Sequence, residues 1–161
     1  MASTYEKIAT NTLGSAAASV TFSGISGSYT DLVIVSNGTM ASGEESLAMQ
    51  FNSDTASNYS TTFMYAAGVT PSSSRQSSQA KIYVGRADTA NSTSIFNIMN
   101  YSNTTTYKTT LARGNDSALV IAQVGLWRST SAITSVVITS WGGYNFSTGH
   151  TFTLYGILKA A

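Results

Sequence analysis

The chain has 161 residues, of which 9% are charged, with a net charge of +1, one His, one Pro and no Cys. A chain of about this length suits one domain and buries roughly 70% of its unfolded surface, so it needs no disulfides. The missing Cys exclude a disulfide scaffold, thiolate metal sites and a Cys nucleophile, and the near-zero charge lacks the footprint of a nucleic-acid or anionic-membrane binder.

Ser and Thr make up roughly 30% of the chain, far above average usage. A hydroxyl-covered surface with so few charges offers little colloidal repulsion and favours association. Residues 1–10 lack the apolar core of a signal peptide, and no run approaches the ~18 apolar residues of a transmembrane helix. The Asn-x-Ser/Thr sequons are what chance gives in a chain this rich in Asn, Ser and Thr. One domain over 1–161 is expected, with a short N-terminal contact segment at about 1–6.

Taken in order, Glu6–Thr12 and Ala18–Phe22 read as short strands, with Gly24, Gly27 and Ser28 marking a turn. Asp31–Ser36 is apolar on both sides, the pattern of a central strand covered on each face. Asn37-Gly38 signals a turn, and Gly43-Glu44-Glu45 an acidic loop tip. Leu47, Met49 and Phe51 alternate with polar or small neighbours, as do Tyr59, Thr61, Phe63 and Tyr65. Gly68–Gln79 holds the only Pro and a serine-rich run, and reads as an exposed loop of about twelve residues. Strands follow at Ala80–Val84, Ser94–Met99 and Tyr107–Leu111, and Arg113-Gly114-Asn115-Asp116 reads as a turn.

Ser117–Thr139 has the clearest alternation in the chain. Ala118, Val120, Ala122, Val124 and Leu126 line one side of a first run, and Ile133–Ile138 alternates in a second. The polar break Trp127–Ser131 between them predicts antiparallel neighbours across a short connection. The aromatic, glycine-rich stretch Trp141–Phe146 is a loop, and Phe152–Leu158 a last strand. Roughly ten short strands with turn residues between them, and no helical period, predict an all-β sandwich or barrel.

Residues for chemistry are scarce. His150 lies in a turn before the last strand, where a solvated polar role is expected, and no nucleophile motif accompanies it. Adjacent Glu44 and Glu45 do not make the converging carboxylate pair of a glycosidase. Asn52-Ser53-Asp54 lacks Ca²⁺-loop spacing, and Asp54 with Asn52 and Asn58 reads as a turn cap. No cofactor, metal or enzymatic activity is expected. The aromatics carry more. Trp141 and Tyr144 fit a stacking or docking platform and a plug for the end of a sandwich equally well, while Phe146 fits the plug. Tyr59 and Tyr65 share a strand side. Trp127 reads as core, with a Trp127–Arg128 stacked pair as the other option.

Several motifs resemble one known group. Tyr5-Glu6-Lys7-Ile8-Ala9, Leu13–Ala16, Ser19–Phe22 and Tyr29–Val33 at the start resemble the opening of a family of tailed-phage structural proteins. So do Arg113-Gly114-Asn115, Gly125–Thr130, Ala132-Ile133-Thr134 and the ending Phe152–Ile157. The resemblance implies a small jelly-roll-type virion component, either a decoration or cement protein of the capsid or a module of a tail fibre. It transfers no catalytic residue.

Because the chain starts at Met1 with that opening and carries no fibre shaft, the cement role is the first expectation. In it, a homotrimer binds the phage major capsid protein on the outer capsid surface, after synthesis in the host cytoplasm, with no nucleic acid and no membrane as partner. The alternative is an appendage module binding host-surface carbohydrate. Candidate contact regions are residues before Lys7, the Gly68–Gln79 stretch and the Trp141–Phe146 loop, with Tyr5, Arg75, Trp141 and Tyr144 as the individual candidates.

Overall fold

A computed structural model describes residues 4–158. Twelve strands form: β1 (Tyr5–Thr12), β2 (Ser19–Phe22), β3 (Asp31–Gly38), β4 (Glu45–Phe51), β5 (Tyr59–Ala67), β6 (Thr70–Gln79), β7 (Ile82–Ala87), β8 (Ser92–Met99), β9 (Lys108–Asn115), β10 (Leu119–Trp127), β11 (Val136–Ser140) and β12 (Thr151–Ile157). The described residues contain no helix. The strands pair antiparallel in two sheets, one of eight in the order β1-β12-β3-β8-β9-β10-β5-β6 and one of four in the order β2-β11-β4-β7. The chain is an all-β sandwich, as the alternating runs predict.

Eight of these strands make a jelly roll. In chain order they are β1, β2, β3, β4, β7, β8, β11 and β12, and they divide first-eighth-third-sixth and second-seventh-fourth-fifth, the wiring of two interlocked Greek keys. The other four are insertions. β5 and β6 enter between β4 and β7, and β9 and β10 between β8 and β11. All four extend the larger sheet beyond β8.

The core lies between the sheets. Leu32, Ile34, Phe96, Ile98, Phe152 and Leu154 project from the larger sheet, and Val20, Phe22, Leu47, Met49, Ile138 and Ile82 from the smaller. At one end Trp127 stacks on Tyr59 with ring centroids 6.2 Å apart and lies 5.4 Å from Phe51. Its indole Nε1–H donates to the Asp54 carboxylate at 2.7 Å. At the other end Phe146, His150 and Phe152 pack together. β3 sits between β12 and β8 with Leu32, Val33 and Ile34 all buried, which is why its sequence is apolar on both sides.

Several expectations need correction. The two runs around Trp127–Ser131 are not neighbours: β10 pairs with β9 and β5, whereas β11 pairs with β2 and β4 in the other sheet. The connection, residues 128–135, is a crossover between sheets, and Ile133, placed by its alternation in the second run, is a buried core residue outside any strand. Gly68–Gln79 is not a loop. Gly68-Val69 is a two-residue hairpin turn with φ +65° at Gly68, and Thr70–Gln79 pairs with β5 as an edge strand. Its Ser and Pro content misled because an edge strand needs no apolar side and tolerates Pro.

Arg113-Gly114-Asn115 continues β9, and the turn falls after it. A side chain at Gly114 would collide with Ser94 Oγ, so this glycine allows close packing on β8 rather than a bend. Asn37-Gly38 likewise ends β3 instead of turning. Of the N-terminal contact segment at 1–6, residues 1–3 lie outside the described residues, and Tyr5 opens β1.

Gly38 has φ +151°, and a Cβ there would lie 2.7 Å from His150 Cα. Gly38→Ala is expected to destabilise the fold by at least about 2 kcal/mol, measured as the loss in unfolding free energy in urea; a change below about 0.5 kcal/mol would contradict this packing.

Candidate functional site

Most of the polar chemistry is spent on structure. His150 is buried rather than solvated, because Gly38 lets the strand lie against its ring. Its Nδ1 lies 3.0 Å from the Thr39 carbonyl oxygen, which only accepts, so Nδ1 carries the proton. Nε2 then accepts from Ser36 Oγ at 2.9 Å. This Ser–His pair has no carboxylate behind it, and both members are enclosed in the core. Burial pushes the His150 pKa below its ordinary 6.5.

Asp54 accepts from Asn58 Nδ2, Trp127 Nε1 and the Ala56 N–H, and the Asn58 bond leads the effects that hold its pKa below the usual carboxylate value. It is a turn cap, as its spacing suggests. Asp88 binds the Ser117 hydroxyl and N–H, the former dominating a similar downward shift. Asp116 is ion-paired with Arg86 at 2.7 Å, and Glu44 reaches the same guanidinium at 3.3 Å. Lys108 is fully buried, donating to the Thr106 and Thr130 carbonyls, and burial lowers its pKa. Among the described residues no three of His, Asp and Glu cluster as metal ligands.

The aromatics divide in two. Phe146, Tyr59 and Trp127 are core. Arg128 does not stack on Trp127 but reaches the Ser57 carbonyl and the Ser60 hydroxyl. Tyr65, Phe63, Tyr83 and Trp141 form a half-buried row, with successive centroids 6.1, 5.6 and 4.0 Å apart and the Tyr83–Trp141 rings stacked. Lys81 Nζ stands 5.2 Å from the Trp141 ring and donates to the Ser140 and Trp141 carbonyls. Tyr144 is exposed beside Gly43.

The largest unexpected feature is the outer face of the eight-stranded sheet. On β10 the apolar side read from the alternation, Val120, Ala122, Val124 and Leu126, points outward, while Ile121, Gln123, Gly125 and Trp127 point in. Met64, Leu111, Val120 and Val124 are 63%, 42%, 63% and 55% exposed. Strand register makes them neighbours: Leu111 is opposite Val124, Ala122 opposite Met64, and Val120 opposite Ala66. Arg113 stands between Ile95 and Ala122 in the same rows and makes no hydrogen bond or ion pair among the described residues. It borders two shallow depressions, one reaching Val120 and the other Tyr5 and Tyr155.

Of the four individual candidates, Tyr5 lies at one margin of this face, its ring edge-on to Tyr155, and Arg75 at the other, bonded to Thr62 and Ser77. Trp141 and Tyr144 lie away from it, on the loop after β11. Sequence reasoning missed Arg113, Met64, Leu111, Val120 and Val124 as a surface. The available signal was that β10 is apolar on both sides, whereas a strand with a single covered face needs only one.

No family model matches the chain, and no curated protein matches it. Among solved structures it is similar to the alginate lyase Aly36B, at 7% identity with a TM-score of 0.34 over 94% of this chain and 81% of that one. A variant of that enzyme in complex with alginate tetrasaccharide gives 8% and 0.30 over 82% and 72%. A protein of unknown function from Shewanella oneidensis gives 8% and 0.20 over 83% and 61%. Likenesses at this level carry nothing over to this chain.

The titrations set an acid limb. His150 has a folded pKa below its unfolded 6.5, so the stability tied to its neutral form is present above pH 6.5 and falls as pH drops through the folded value. Asp54 and Asp88 are held below 3.8, so a second loss follows below that pH. Thermal midpoints are expected to fall in these two steps, and His150→Gln to remove the first; an unchanged first step in that variant would contradict the assignment.

Proposed function

We propose that this chain is a structural component of a tailed-phage virion that binds the outside of the capsid and cements its coat subunits. The observation that carries the reading is the apolar outer face of the eight-stranded sheet. Monomeric soluble proteins rarely leave contiguous apolar surface of this kind open, and where they do it marks an interaction site. The motif resemblance supplies the virion setting. The jelly roll is compatible with it, although the same architecture serves viral coats and lectins alike.

The mechanism is mechanical and assigns no catalysis to the chain. A rigid sandwich spanning neighbouring coat subunits adds buried interface that must be broken before the shell opens. Repetition over many linked sites supplies avidity. Trimeric assembly, which the resemblance implies, would multiply the contacts of each unit.

A second reading, a carbohydrate-binding module of a tail appendage, is favoured by the Tyr65-Phe63-Tyr83-Trp141 row, since half-exposed aromatic rings stack on sugars.

Copy number separates the two. Under the cement reading, purified particles contain this chain in amounts comparable to the major coat protein, and particles lacking it open at lower temperature. A few copies per particle, with unchanged heat resistance, would sink that reading. Glycan binding abolished by Trp141→Ala would establish the second.

A further inference from the structure

The four inserted strands do little that the jelly roll requires of their outward side, yet that side is where the exposed apolar residues gather. Met64 and Ala66 stand on β5, Leu111 on β9, and Val120, Ala122 and Val124 on β10. The face is large enough for a specific interface. The three strands β9, β10 and β5 at ~4.8 Å spacing and about eight residues at ~3.4 Å give roughly 400 Å², about half of the ~800 Å² per partner in a standard complex, and the flanking rows of the same eight-stranded sheet supply the rest.

Its charge pattern selects the occupant. Lys7, Arg113 and Arg75 stand in its rows, opposite Tyr155, Ala122 and Thr62 respectively. The one acid in those rows, Asp31, lies at the end of β3 and is committed to the Asn100 N–H at 2.6 Å. Of the other acids, Glu6 stands in the alternate row of β1, opposite Gly156, and hydrogen-bonds Tyr29, while Glu44, Glu45, Asp54, Asp88 and Asp116 are engaged by Arg86, the Ser46 N–H, Trp127, Ser117 and Arg86 again. Arg113 is on β9, beside the midline of the sheet between β8 and β9. A second copy docked face to face about a central two-fold axis would therefore set guanidinium against guanidinium, with no carboxylate to compensate. A surface that fits must bring its own acid.

We propose that the outer face of β9, β10 and β5 docks a different protein whose contact surface sets a carboxylate among apolar side chains, the carboxylate pairing with Arg113 and the apolar groups covering Leu111, Val120, Val124 and Met64. Burial in such a contact converts the unpaired guanidinium into a charge-assisted, bidentate pair. The proposal rests on the cement reading for the identity of that protein, the coat subunit of the particle.

The test uses the full chain, particles lacking it, and co-sedimentation as the readout. The wild-type chain is expected to bind. Arg113→Glu and Val120→Asp, both at exposed positions, are each expected to weaken binding at least tenfold with unchanged thermal midpoints, while Trp141→Ala binds as wild type. If the wild type itself fails to bind, the cement reading falls and the proposed partner with it. If the wild type binds and both face variants bind equally well, the reading survives and this proposal is overturned. If the isolated chain is an oligomer in analytical ultracentrifugation that Val120→Asp dissociates, the occupant is a second copy, which also overturns it.

Discussion

A two-layer sandwich covers one face of each sheet and no more, and the rest of this molecule follows from that limit. Side chains alternate strictly along a strand, so a strand with apolar residues on both sides leaves one set in water unless something outside the sandwich covers it. β3 meets the condition within the chain, since Val33 is buried on the outer side. β10 does not. Its two sides are Ile121-Gln123-Gly125-Trp127 and Val120-Ala122-Val124-Leu126, and the second is the more uniformly apolar of the two.

The choice of side is set by Trp127. A slip of one residue would turn Val120, Ala122 and Val124 into the core and expose the indole. In the observed register Trp127 packs against Tyr59 and Phe51 and bonds Asp54, and Gly125 gives room for Ile82, whose side chain a Cβ at that position would strike. The register has a cost on the inner side. The Gln123 amide and Thr110 Oγ1 are buried without a hydrogen-bond partner among the described residues, and each such group costs about 1–3 kcal/mol.

Much of the architecture was legible in the sequence because the frame strands are conventional. β2, β4, β8 and β12 alternate cleanly, β3 is apolar on both sides, and the motifs that carry the family resemblance at both ends of the chain fall on or beside frame strands. What sequence could not convey were long-range choices. β6 is written in Ser, Thr, Gln and Pro because an edge strand exposes both sides, so its residues look like a loop. β10 and β11 are neighbours in sequence but belong to different sheets, and no local signal distinguishes a crossover from a hairpin when the break is five polar residues long. His150 was legible as preceding the last strand, but its burial depends on Gly38, more than a hundred residues away. The candidate site was read least well. Trp141 and Tyr144 drew attention as aromatics in a loop, whereas Arg113 became visible only once register placed it between Ile95 and Ala122.

If the proposed docking holds, the outer face of the extended sheet is covered in the complex. The chain carries its own reporters: Met64 is exposed on that face, while Met40 and Met49 are buried in the core and serve as internal references. Hydroxyl-radical footprinting of the free chain and of the chain on particles, read as methionine oxidation by mass spectrometry, reports directly on whether that face is covered. Met64 is expected to oxidise readily in the free chain and to be protected on the particle. Equal oxidation of Met64 in both states, with protection appearing instead at Trp141, would contradict it.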